Sequence, residues 1–113
     1  MKYKGIVQKG GGSGRTLGFP TANITCGTDL SGIYSGMVRF AGEEYGAAVY
    51  ADTKRKLLEA HLLDFNGDLY GKEIEIELMK KIREDKQFAD EVEAKRTIAW
   101  DVEAVEAYFR TVN

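Results

Sequence analysis

A chain of 113 residues is the size of one domain with one modest core, and 43% hydrophobic with 30% charged residues is the composition of a globular protein, not a disordered or fibrous one. The formal net charge of −2 supplies no general field for nucleic acid, so an anionic ligand has to be held by a local site. Cys26 is the only cysteine, which excludes an internal disulfide and a cysteine metal cluster and fits a reducing, cytoplasmic setting; no signal peptide or membrane span is expected.

Tyr3 to Gln8 predicts a short strand that stops at a glycine run. After the Ser31-Gly32 turn, Ile33 to Phe40 predicts a strand. Ala41 to Glu44 predicts a turn, and Tyr45 to Tyr50 the returning arm of a hairpin. Asp52 to Lys56 is a charged break. Leu57 to Phe65 follows as a strand, with Asn66-Gly67 as a tight turn. Lys72 to Leu78 alternates with period two, which directs Ile74, Ile76 and Leu78 to the core and the glutamates to water. From Val92 the period becomes helical, through Ile98, Ala99, Val102, Val105 and Phe109. Asp90 with Glu93 three residues later supplies a capping-box start. This helix is expected to cover the sheet, with Trp100 packed. Short antiparallel strands with one terminal helix predict a barrel, since closure removes exposed edges.

The chemistry concentrates in three segments. Gly10, Gly11, Gly12 and Gly14, followed by Arg15, bring main-chain N–H groups close to an anion. The run is not a P-loop: Lys9 stands where the first glycine belongs and Arg15 replaces the lysine. Thr21 and Asn23 then offer two neutral oxygens on one side of an extended chain, a pattern that suits a hard cation such as Mg²⁺ beside phosphates; local turn chemistry is the plain alternative. Glu59 interrupts an apolar strand (Leu57, Leu58, Ala60, Leu62, Leu63), where a carboxylate needs either a catalytic role or an ion pair with Lys54, Arg55 or Lys56. Partial burial would raise its pKa and make it a better base. His61 shares a strand face with Glu59 and reads as an orienting, structural histidine.

Gly18-Phe19-Pro20-Thr21-Ala22-Asn23 resembles the signature of the riboflavin kinase (flavokinase) family. The stretch from Leu58 through Glu59 and His61 to Phe65, continued by Asp68-Leu69-Tyr70-Gly71, is similar to that family's second signature. Lys81-Ile82-Arg83 with Phe88 is similar to its Leu-Arg-x-x-x-x-Phe element. The resemblance covers Tyr3 to about Asp101. It implies a mainly β fold, a closed six-stranded antiparallel Greek-key-like barrel with a C-terminal α-helix, occupying residues 1–113 as a single domain. It implies an enzyme that transfers phosphate from ATP to the 5′-hydroxyl of riboflavin, yielding FMN with Mg²⁺ or another divalent cation. The roles it implies are Glu59 as catalytic base, Gly10, Gly12, Gly14, Arg15, Thr21 and Asn23 at the nucleotide, Thr21 and Asn23 on the metal, and Arg83, Phe88 and Tyr70 at the flavin. A solvated charge run is the plain alternative for Arg83. The partners expected are the two small-molecule substrates, with no nucleic acid, no membrane and a monomeric state.

One departure stands out. The family's Ile-Gly-x-Arg/Asn-Pro element, which helps wall the substrates, is replaced by the shorter, proline-free Ala47 to Lys54. No nucleotidyltransferase segment precedes the barrel, so FAD synthesis is not expected. The competing readings are a flavin- or nucleotide-binding module without turnover and, from the eleven tyrosines and phenylalanines, a single-strand nucleic-acid barrel. The acidic balance disfavours the second.

Overall fold

The computed structural model describes residues 1–8 and 19–112; Gly10, Gly12, Gly14 and Arg15 lie outside them. Among the described residues, six strands are followed by one helix: β1 (Lys2–Ile6), β2 (Ala22–Thr25), β3 (Gly32–Phe40), β4 (Glu43–Asp52), β5 (Leu57–Leu62), β6 (Glu73–Arg83) and α1 (Glu91–Val112). All pairs are antiparallel, in the order β1-β6-β3-β4-β5-β2. The run β6-β3-β4-β5 is a Greek key: three consecutive strands with the fourth returned beside the first. The two outer strands approach each other at Gln8, whose N–H donates to the Asn23 carbonyl at 2.8 Å. A Cβ on Gly5 would stand 3.0 Å from that of Ile24. This contact nearly closes the barrel.

The interior is apolar and set by strand alternation. Ile24, Val38, Ala47, Val49, Ala51, Leu58, Ala60 and Ile76 are completely buried, and Ile74 and Leu78 point inward as their period-two pattern predicts. The free Cys26 is buried at one end. Residues of opposite parity on β2, β4 and β5, among them Asn23, Tyr50, Asp52, Glu59 and His61, therefore face the outside of the barrel.

Two boundaries differ from expectation. β5 ends at Leu62, not Phe65, and Asn66-Gly67 is not a hairpin turn, because β6 pairs with β1 and β3 and never with β5. Residues 63–72 instead cross one end of the barrel. Asp64 and Gly71 take positive φ, the Tyr70 N–H bonds to Asp68 Oδ1, and Leu69 is buried into the core.

α1 starts as predicted: the Glu93 N–H donates to Asp90 Oδ1 at 2.9 Å, and Glu93 Oε2 accepts from the Ala89 N–H. Its inward stripe carries Ala94, Ile98, Asp101, Val102, Val105 and Phe109, with Val105 completely buried. Trp100 lies off that stripe and is 56% exposed, so the expectation that it packs is corrected; Val92 is exposed for the same reason. At the far end the Phe109 ring sits over β4, where a Cβ on Gly46 would come within 2.9 Å of it. No helix among the described residues is long and apolar enough to cross a membrane.

Candidate active site

Strand register gathers the site. Arg83 of β6 is opposite Ile33 of β3, Ile33 is opposite Tyr50 of β4, Tyr50 is opposite Glu59 of β5, and Glu59 is opposite Asn23 of β2. Residues paired directly across strands share a face, so one row crosses five strands on the outside of the barrel. Gly32 allows the row to begin at β6. Its φ is +112°, and any Cβ there would fall 2.5 Å from the Arg83 carbonyl oxygen. α1 and residues 84–90 lie over this row and enclose a cavity of about 290 Å³.

Glu59 is 5% exposed on the wall of that cavity. Its Oε2 accepts from Arg55 Nη2 at 2.6 Å, and its Oε1 stands 3.5 Å from Thr21 Oγ1. Burial pushes its pKa above the ordinary carboxylate value; Arg55 pulls it back and the Asp52 charge pushes it up again. The ion pair expected as an alternative is thus present, with Arg55 as the partner. Arg55 is itself shared: Nε donates to Asp52 Oδ2 at 2.6 Å and its N–H to Asp52 Oδ1 at 3.1 Å. Burial raises the Asp52 pKa, but the Arg55 hydrogen bonds outweigh it and hold the carboxyl below its ordinary value.

Thr21 and Asn23 stand side by side. Thr21 Oγ1 donates to Asn23 Oδ1 at 3.0 Å, and Asn23 is buried. The separation suits neighbouring corners of a Mg²⁺ octahedron, where bonds of about 2.0–2.1 Å set adjacent oxygens roughly 2.9 Å apart. Gln8 and Phe19, the described residues that flank 9–18, lie at Asn23 and on the cavity wall respectively. His61 donates its Nδ1–H to the Pro20 carbonyl (2.9 Å) and meets the Phe19 ring edge-on, so it orients the segment that leads into Thr21.

At the other end of the row Arg83 is not a solvated charge. Nε and Nη2 grip both oxygens of Asp101 at 2.7 and 2.8 Å, and Nη1 donates to the Glu84 carbonyl. Its guanidinium lies 6.0 Å from the Phe88 ring centroid, and both residues line the cavity beside Ile98 and Val102 of α1. Tyr70 is not brought there: it is 59% exposed on the 63–72 crossing and does not line this cavity.

A sequence model of the riboflavin kinase family (flavokinase) matches residues 1–109. The chain belongs to the riboflavin kinase family. It is 36% identical to a bifunctional riboflavin kinase/FMN adenylyltransferase of Buchnera aphidicola over 96% of its own length, and it spans 39% of that relative. In structure it superimposes on a macrolide-efflux protein from Streptococcus pneumoniae with a TM-score of 0.78 at 23% identity, covering 93% of this chain and 36% of that one. It also superimposes on riboflavin kinase from Trypanosoma brucei with a TM-score of 0.64 at 24% identity, covering 96% of this chain and 79% of that one. At these identities the structural likeness is one of fold: mainly β, a nearly closed six-stranded barrel with a C-terminal helix.

Within this riboflavin kinase fold, three members of the site escaped the motif reading. Tyr50 lines the cavity, and its hydroxyl donates to Asp85 Oδ2 at 2.9 Å. Burial, then Asp85, pushes its pKa up. Asp52 became visible only through its grip on Arg55. Asp101 had a signal: an acid three residues after Ile98 on the apolar stripe of a helix has to be buried and paired.

Proposed function

We propose that residues 1–113 form one riboflavin kinase domain that works as a monomer and phosphorylates the 5′-hydroxyl of riboflavin with Mg·ATP, Glu59 acting as general base. The observation that carries this reading is the meeting of Glu59 with Thr21 and Asn23, which precede it by 38 and 36 residues in the chain, beside one cavity that Glu59 and Thr21 line.

The apolar part of that cavity, between Phe19, Ile33, Phe88, Ile98 and Val102, suits a flat aromatic ring system. Arg83 and Phe88 are read as the flavin edge of the site; nothing in the exposed placement of Tyr70 supports extending that role to it. With the rings in this slot, the ribityl chain extends along the row toward Glu59. The carboxylate takes the hydroxyl proton as the oxygen attacks the γ-phosphorus in line, the bond to the β-phosphate oxygen breaks, and ADP leaves. Burial supports the assignment, since a raised pKa makes a carboxylate a stronger base. Thr21 and Asn23 are read as Mg²⁺ ligands because two hard oxygen donors stand at octahedral spacing. The cation, when bound, neutralises charge on the transferred phosphate. Gly10, Gly12, Gly14 and Arg15 are read as the phosphate cradle, a role supported by the position of Gln8 and Phe19 on either side of that segment.

The test is FMN formation from riboflavin and Mg·ATP, followed by chromatography. The parent should turn over and Glu59→Gln should lose about 10²-fold or more in kcat while ATP still binds. Binding of riboflavin without FMN in the parent would instead establish a module that lacks turnover. Full activity in Glu59→Gln would remove the base assignment.

A further inference from the structure

The stretch in which this chain departs from the family pattern contributes a brace to the site. Ala47 to Asp52 complete β4, and the turn at 53–56 follows directly. Asp52 points outward from the strand end and Arg55 rises from the turn, so only two residues of chain separate two groups that bond at two points. The stem of Arg55 is thereby fixed, and its Nη2 reaches Glu59 on the neighbouring strand.

We propose that Arg55, anchored by Asp52, is the positioning residue of Glu59: by holding Oε2 at 2.6 Å it turns Oε1 toward Thr21 and the cavity. This rests on the reading of Glu59 as the base. A glutamate has three side-chain torsions, and the backbone of β5 sets none of them. One oxygen tied to a fixed guanidinium determines where the other points. Arg55 is itself 52% exposed, so the ion pair contributes little to stability by Coulomb attraction. Its value lies in geometry, since displacement of a reacting group by about 1 Å costs on the order of 10²-fold in rate. The brace also accounts for how a shortened wall keeps an ordered base: the short route from β4 to β5 supplies both its anchor and its arm.

The test is single-turnover FMN formation at saturating riboflavin and Mg·ATP. Arg55→Ala should lower the rate by about 10- to 100-fold with KM for both substrates little changed. Arg55→Lys and added guanidinium ion should each restore part of it. Asp52→Asn should cost less and show no rescue by guanidinium, because Arg55 is still present. On a Glu59→Gln background, Arg55→Ala should cost nothing further, the non-additivity expected of two residues that act as one. Undiminished activity in Arg55→Ala, or the same loss on both backgrounds without guanidinium rescue, would overturn the positioning role and leave the base intact. If Glu59→Gln is itself as fast as the parent, the base reading fails first, which separates the two failures.

Discussion

Two arginines face the cavity, Arg83 from the end of the row on β6 and Arg55 from the turn between β4 and β5, and they are held in different ways. Arg83 is enclosed: its side chain is 17% exposed, and both its bonds to Asp101, 3% exposed, join β6 to α1. Arg55 is open to water at 52% and is divided between two carboxylates on adjacent strands, Asp52 and Glu59. The closed pair has no spare carboxylate oxygen and fastens a wall. The shared one leaves Glu59 Oε1 free to act. A buried, mutually satisfied pair is a structural joint; a half-exposed cation serving two acids is an arrangement for chemistry.

That contrast can be broken most directly at Asp101. Asp101→Ala strands a buried guanidinium and should cost about 3–5 kcal/mol of stability, read as a fall in melting temperature, with a raised KM for riboflavin because α1 no longer holds its place over the cavity. Arg55→Ala should be far milder in melting temperature while it slows the reaction. Equal destabilisation by the two would show that the shared arginine is a joint as well. Asn23→Ala sharpens the chemical end: the Mg²⁺ concentration for half-maximal activity should rise on the order of tenfold, with riboflavin affinity unchanged. An unchanged magnesium dependence would remove Asn23 from the metal.

The parts of this design that depend on local pattern were readable beforehand. Alternation placed Ile74, Ile76 and Leu78, Asp90 marked the start of α1, and an acid in an apolar strand marked Glu59. The parts that depend on register were not. No local feature of Tyr50 or Ile33 says that they bridge Glu59 to Arg83, because strand pairing is decided by the whole barrel and by a bulge near Tyr34. The 63–72 crossing looked like a hairpin because Asn66-Gly67 carries hairpin chemistry, yet the Greek key sends β6 to β3 and leaves that turn unused. Residue type alone predicts a packed Trp100; its position on the helix, roughly opposite the stripe of Ile98 and Val102, leaves it exposed instead.

The smallest expected effect is the most specific, and it concerns Asp52. Burial works against its charge, but Arg55 prevails, so its folded pKa lies below the unfolded value of about 3.9. A group shifted in that direction contributes stability that is fully present above the unfolded pKa and is lost as pH falls through the folded one. Asp52→Asn should therefore melt below the parent at neutral pH, and the gap should hold down to about pH 4 and then close on further acidification. Melting curves of both proteins between roughly pH 7 and pH 2 measure it, and taking the difference cancels the other carboxylates. A gap that does not narrow in acid would mean that Asp52 holds Arg55 as a hydrogen-bond acceptor alone, and the shared cation would then owe its position to Glu59.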